Sequence, residues 1–191
     1  MHGGLCIRHE GRVARVGVSR EMKRYRDALF MGMPQPVPEQ PEELLKAICA
    51  CAARSSGREV RLMLEEFPLD TVTGLWLDMG DYDLIAIEAN TSPLHQVVIL
   101  GHELWHLKEG HCGHGSAAGA MAAARMLGER WSLADAVAYV AARTEPDLEE
   151  ERRAERFGRM LADRVRPCLE GRRSTTPFGG VAGRIWASLR G

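Results

Sequence analysis

Between Glu42 and Arg54 the apolar residues Leu44, Leu45, Ile48, Cys49, Cys51 and Ala52 return at helical spacing, and Gly57 supplies a stop. Directly after it, Val60, Leu62 and Leu64 alternate with Arg61 and Met63, the period of two that marks a strand. Gly74–Asp78 and Tyr82–Ile87 read as two more strands, and the short Met79-Gly80-Asp81 between them carries the glycine of a tight reversal, so the pair is expected to form a hairpin. Ser92 can cap the first free amides of the next helix, and Pro93 fits its first position, where a missing N–H costs nothing. That helix meets no breaker from Leu94 to Lys108 except Gly101. Further helices are expected over Ala117–Leu127, from Ser132 to Ala142, and from Asp147 to about Val165, the last two opened by the capping pairs Ser132/Asp135 and Asp147/Glu150. The pattern predicts an α+β fold, a small three-stranded sheet packed on a helical bundle.

The two ends read differently. Before residue 37 the chain carries Arg8, Arg12, Arg15, Arg20, Lys23, Arg24 and Arg26 without a sustained apolar period, and Pro34, Pro36 and Pro38 disfavour helix. Residues 1–36 are therefore expected to be a flexible basic leader, residues 37–170 the folded domain, and residues 171–191 a loop and tail with a short helix at Val181–Leu189. A basic leader can also serve as a nucleic-acid arm. With only Tyr25 and Phe30 as aromatic company, direct nucleic-acid binding is not expected.

Composition narrows the classes. A chain of 191 residues with 45% hydrophobic and 27% charged residues is an ordinary globular length and mix. The formal net charge of −1 supplies no global field for nucleic acid or anionic membrane. No apolar run approaches the ~20 residues that span a bilayer, and no apolar centre of a signal peptide is seen, so a cytoplasmic location is expected. The five cysteines, Cys6, Cys49, Cys51, Cys112 and Cys168, are scattered and odd in number, which makes a poor disulfide framework.

His102-Glu103-Leu104-Trp105-His106 carries the chemistry. Four residues apart on a helix, His102 and His106 share a face and can reach one ion. Zn2+ takes neutral imidazole nitrogen, and three protein ligands leave a position for water. Glu103 is rotated by ~100° from His102, beside that water rather than on the metal, where it can take the water's proton and pass it to a leaving amine. With 7 histidines in the chain, the chance expectation for this pattern is only about 0.02.

A third ligand is needed. A histidine six residues after His106 would complete a metzincin-type site, but that position is Cys112, and the glycine is Gly110 rather than residue 109. A later carboxylate remains, among Glu149, Glu150, Glu151 and Glu155. A buried stripe through Ala154, Phe157, Gly158, Leu161 and Val165 places Glu151 and Glu150 within about 60° of its centre and the other two at about 100° or more. Glu151 and Glu150 are both open on this ground.

Thr91-Ser92-Pro93-Leu94-His95-Gln96, then Gly101 to Leu107 with Gly110-His111, and later Glu149 to Phe157, together resemble the ImmA/IrrE family of metallopeptidases, particularly its actinobacterial members. The likeness covers Pro38 to Val165. It implies a zincin-like fold, His102 and His106 as zinc ligands, Glu103 as the catalytic glutamate, and Glu151, three residues before Ala154, as the third ligand. It further implies a protein substrate, a helix-turn-helix repressor of stress genes or mobile elements, or a partner in a toxin–antitoxin pair. Trp105 stands where the family usually has a small residue, Gly101 where an apolar one is common, and Arg153 where relatives often carry an acid.

His111 and His114 are candidates for binding a substrate carbonyl or oxyanion. His95, two turns before His102, is a weaker candidate of the same kind. Trp76 is expected in the core, and the strand Tyr82–Ile87 can offer an edge to an extended peptide if it lies at the rim of the sheet.

Overall fold

The apolar periods of the chain become four helices and three strands in the computed structural model, which describes residues 10–67, 72–110 and 147–174. They are α1 (Glu10–Met31), α2 (Pro41–Ser56), β1 (Glu59–Glu65), β2 (Gly74–Asp78), β3 (Tyr82–Glu88), α3 (Pro93–Glu109) and α4 (Leu148–Ser174). The class is α+β. No helix among the described residues is long and apolar enough to cross a membrane.

The sheet has the order β1-β3-β2. β3 lies antiparallel to β2, as the hairpin reading expects, and parallel to β1 from Glu59 opposite Tyr82 to Glu65 opposite Glu88. Being central, β3 is buried continuously from Asp83 to Ile87, which matches its unbroken apolar run. It therefore offers no edge to a peptide, so the condition set for Tyr82–Ile87 is not met; among the described residues the edges are β1 and β2. One sheet face, with Val60, Trp76, Ile85 and Ile87, joins the main core under the helices, while Leu75, Leu77, Leu84 and Ala86 pack with Phe67 on the other. Arg58 pins the hairpin turn to the start of β1, bonding Asp78 at 2.6 Å and the carbonyls of Gly80 and Tyr82 at 3.0 and 3.3 Å.

Two expectations about the ends fail. The supposed leader is a helix from Glu10 to Met31 whose Met22, Tyr25 and Leu29 are core residues, with Val18 packed beside them. Residues 18, 22, 25 and 29 do recur at helical spacing, but the surrounding cations mask the period. Tyr25 stacks on Phe157 of α4 at 5.2 Å, Phe157 meets Trp105 of α3 at 5.0 Å, and Lys108 lies over both Tyr25 and Trp105 while pairing with Glu21. α1 is thus a structural partner of α3 and α4. At the other end, α4 continues through Pro167 to Ser174 instead of stopping near Val165. Pro167 is on the exposed side, where water can satisfy the carbonyl that loses its amide partner. Residues 1–9, the helices expected over 117–127 and 132–142, and the tail beyond Ser174 lie outside the described residues.

Candidate metal centre

Two helices and one strand edge build the site. α3 starts as its sequence dictates: Ser92 Oγ accepts the His95 amide at 3.3 Å, Pro93 opens the helix, and Gly110 closes it in the left-handed region at φ 73°. α4 starts at Asp147, whose carboxylate accepts the amides of Glu149 and Glu150 at 2.8 and 3.3 Å. That cap leaves Glu151 in the first turn, above a fully buried stripe of Ala154, Phe157, Leu161 and Val165.

The two helices touch backbone to backbone. A Cβ on Gly158 would lie 2.3 Å from the carbonyl oxygen of Val98, and one on Gly101 would lie 2.7 Å from the Cα of Gly158. The helices run antiparallel, since Gly101 meets Gly158 while Glu109 meets Arg153 further along α3. Glu151, about two turns before Gly158, is thereby carried to His102 and His106. Gly101 serves this close approach. Trp105, one turn on, is fully buried against Phe157.

His102 Nε2 lies 3.1 Å from His106 Nε2, 3.2 Å from Glu151 Oε2, and His106 Nε2 lies 3.5 Å from Glu151 Oε1. Ligands at roughly 2.0–2.1 Å around a tetrahedral Zn2+ stand about 3.3 Å apart, so the triangle already has the dimensions of a zinc site. Two imidazoles and one carboxylate are also a suitable donor set for that ion. These three side chains form a group that can hold a metal ion. Of the carboxylates left open by the sequence, Glu151 is the one brought to both imidazoles. Glu155 stands at the side of the site and pairs with Arg159 at 2.9 Å.

Burial by itself would lower the pKa of His102, but the hydrogen bond with Glu151 and the charges of Glu103, Glu151 and Glu155 outweigh it and leave the imidazole raised. Burial pushes the Glu103 carboxyl up to about 7, opposed by His102 and by a hydrogen bond from the Trp76 backbone and reinforced by Glu151. Flanking β2, Thr73 and Met79 bond across to Glu88 and Tyr82 of β3, so by alternation Gly74 and Trp76 turn their backbone groups to the free edge. The Trp76 amide uses that edge to hold Glu103. Gly74 is equally close: a Cβ there would stand 2.8 Å from Glu103 Oε1.

A cleft of about 360 Å3 opens beside His102 and Glu103, with His95 among its lining residues. Arg153 turns away to Glu109 at 3.5 Å, so its charge is engaged at the far end of α3. Trp76 is in the core as expected. His111, His114 and Cys112 lie outside the described residues. Sequence reasoning missed the Trp76 amide, which no side-chain motif announces, and the part played by Gly158, although a glycine on the inner face of each helix was a usable signal. Compared with known proteins, the chain matches no family model, and no curated protein or solved structure matches it significantly.

Proposed function

We propose that this chain is a zinc-dependent endopeptidase of the ImmA/IrrE type, with a zincin-like domain, acting in the cytoplasm on a protein regulator. The substrate class implied by the resemblance is a helix-turn-helix repressor or an antitoxin partner. The observation that carries the reading is the convergence of His102, His106 and Glu151 within 3.1–3.5 Å, with Glu103 on the adjoining position of the same helix.

A zinc ion held by His102, His106 and Glu151 would supply Lewis acidity toward a carbonyl and a water. The chain's own groups do the rest. The Glu103 carboxylate takes the proton of the attacking water and returns it to the departing amine. The Trp76 amide keeps that carboxylate aimed along the free edge of β2. The same edge, through the outward backbone of Gly74, can pair with an extended peptide and hold it across the site.

Purified protein is expected to contain about one zinc per chain by elemental analysis. His106→Ala or Glu151→Gln should weaken zinc binding by more than the ~10–100-fold typical of an outer-shell change. Glu103→Gln should keep the metal but abolish the new N-termini that the native protein generates in a host-cell lysate. Undiminished cleavage by Glu103→Gln overturns the peptidase reading. Undiminished inactivation of a partner without cleavage replaces it with a metal-binding regulator that acts by binding.

A further inference from the structure

The cleft beside His102 bears on which peptide side chain this site selects. Its apolar lining is made by Val98 and Ile99 of α3 together with Val72. The β2 backbone closes in directly on it, since a Cβ at Gly74 would stand 2.4 Å from Ile99 Cγ2. Glu155 stands among the lining residues, and among the described residues no lysine or arginine lines the cleft. At about 360 Å3 the space is at the small end of the ~300–1,000 Å3 range of ligand pockets, suited to one or two side chains and not to a folded surface. An acidic side chain there would face Glu103 and Glu155 together. A neutral one would leave Glu155 unused. The existing partner of Glu155 is Arg159, and both side chains are more than half exposed, at 53% and 61%, so that pair is a weak competitor.

We infer that this cleft receives the substrate side chain next to the scissile bond, and that Glu155 makes it select lysine or arginine, the apolar stem lying on Val98 and Ile99 and the cation at the carboxylate. Such a division between stem and tip is how long basic side chains occupy apolar surface. Glu155 is on this account a specificity residue. The inference rests on the proposed peptidase reading, because it takes the bond to be cleaved to lie at the triad.

The test uses peptidyl hydroxamates, which anchor on the metal without being cleaved, carrying lysine, norleucine or glutamate as the adjoining side chain. Their affinity is measured by calorimetry on zinc-loaded, full-length protein. The lysine compound should bind about three- to fivefold more tightly than the norleucine one, the size of a single partly exposed ion pair. Glutamate should bind most weakly. Glu155→Gln should bring the lysine-to-norleucine ratio toward one, and Glu155→Lys should make the glutamate compound the best of the three. A flat series, or a ratio unchanged in Glu155→Gln, overturns the inference. Absence of proteolysis by the native protein, with the series still graded, overturns the peptidase reading and with it the scissile bond, leaving the cleft as a site that selects a basic side chain through Glu155. Failure to load zinc overturns both.

Discussion

Asp78 and Asp83 face each other across the β2–β3 hairpin, yet their acidities move in opposite directions. The Arg58 hydrogen bond and then the Gly80 amide hold Asp78 below the usual carboxylate range, while burial raises Asp83 despite the indole N–H of Trp76 at 2.9 Å and Arg58 at 3.5 Å. A carboxyl depressed on folding contributes stability that is present above its unfolded pKa, about 4, and is lost as pH falls through the lower folded value. Asp78→Asn should therefore cost about 1 kcal/mol at pH 7. The gap between variant and native protein should narrow below pH 4, as read by urea denaturation at pH 7 and pH 3. A gap that widened in acid would contradict the assigned pairing. The residue also matters to the site at one remove, since Arg58, Asp83 and the Trp76 indole anchor the strand whose amide holds Glu103.

Between elements, the decisive contact is the crossing of α3 and α4 at Gly101 and Gly158. Alanine is a better helix former than glycine by about 1 kcal/mol, so a harmless Gly158→Ala would stabilise α4. The Cβ would instead meet the Val98 carbonyl at 2.3 Å, and a rigid backbone atom cannot turn aside. The variant should lose about 1–3 kcal/mol, the usual cost of overpacking, and should bind zinc more weakly because Glu151 retreats with its helix. Thermal unfolding and a competitive zinc titration check the two effects together. A stabilised variant with native zinc affinity would show that the helices can separate without disturbing the site. Gly158 was legible in the sequence as a member of an apolar stripe, and Gly101 only as an interruption of its helix. Their pairing was not, because helical periodicity reports which face is inward and says nothing of which inward face it meets.

At the scale of the whole molecule, α1 changes how the chain must be handled. Met22, Tyr25 and Leu29 are at most 7% exposed, and Tyr25 completes a three-ring cluster with Phe157 of α4 and Trp105 of α3, the helices that carry the candidate metal centre. At roughly 1.5–3 kcal/mol per buried side chain, their removal approaches the entire ~5–15 kcal/mol that keeps a domain folded. Deleting residues 1–30 should therefore unfold the protein or leave it without a cooperative transition. Tyr25→Ala alone should cost about 3 kcal/mol. Circular dichroism and urea melts distinguish this from a dispensable leader, which would leave both unchanged.

Local grammar alone determined the middle of this protein. Alternation announced β1, short apolar runs announced β2 and β3, Met79-Gly80-Asp81 announced the hairpin, Ser92-Pro93 announced the start of α3, and the spacing of His102 and His106 announced two imidazoles on one helix face, because each depends on neighbours within a turn or two. Tertiary structure decided what distance in the chain conceals. It set β3 at the centre of the sheet, leaving β2 as the edge beside Glu103, since a parallel partner is chosen by packing and not by the strand's own pattern. It chose Glu151 over Glu150, because the two flank the apolar stripe on opposite sides and only the Gly101–Gly158 crossing fixes which side meets the histidines. It also drew a heavily charged N-terminal helix into the core, where three well-spaced apolar residues outweigh the cations that remain in water.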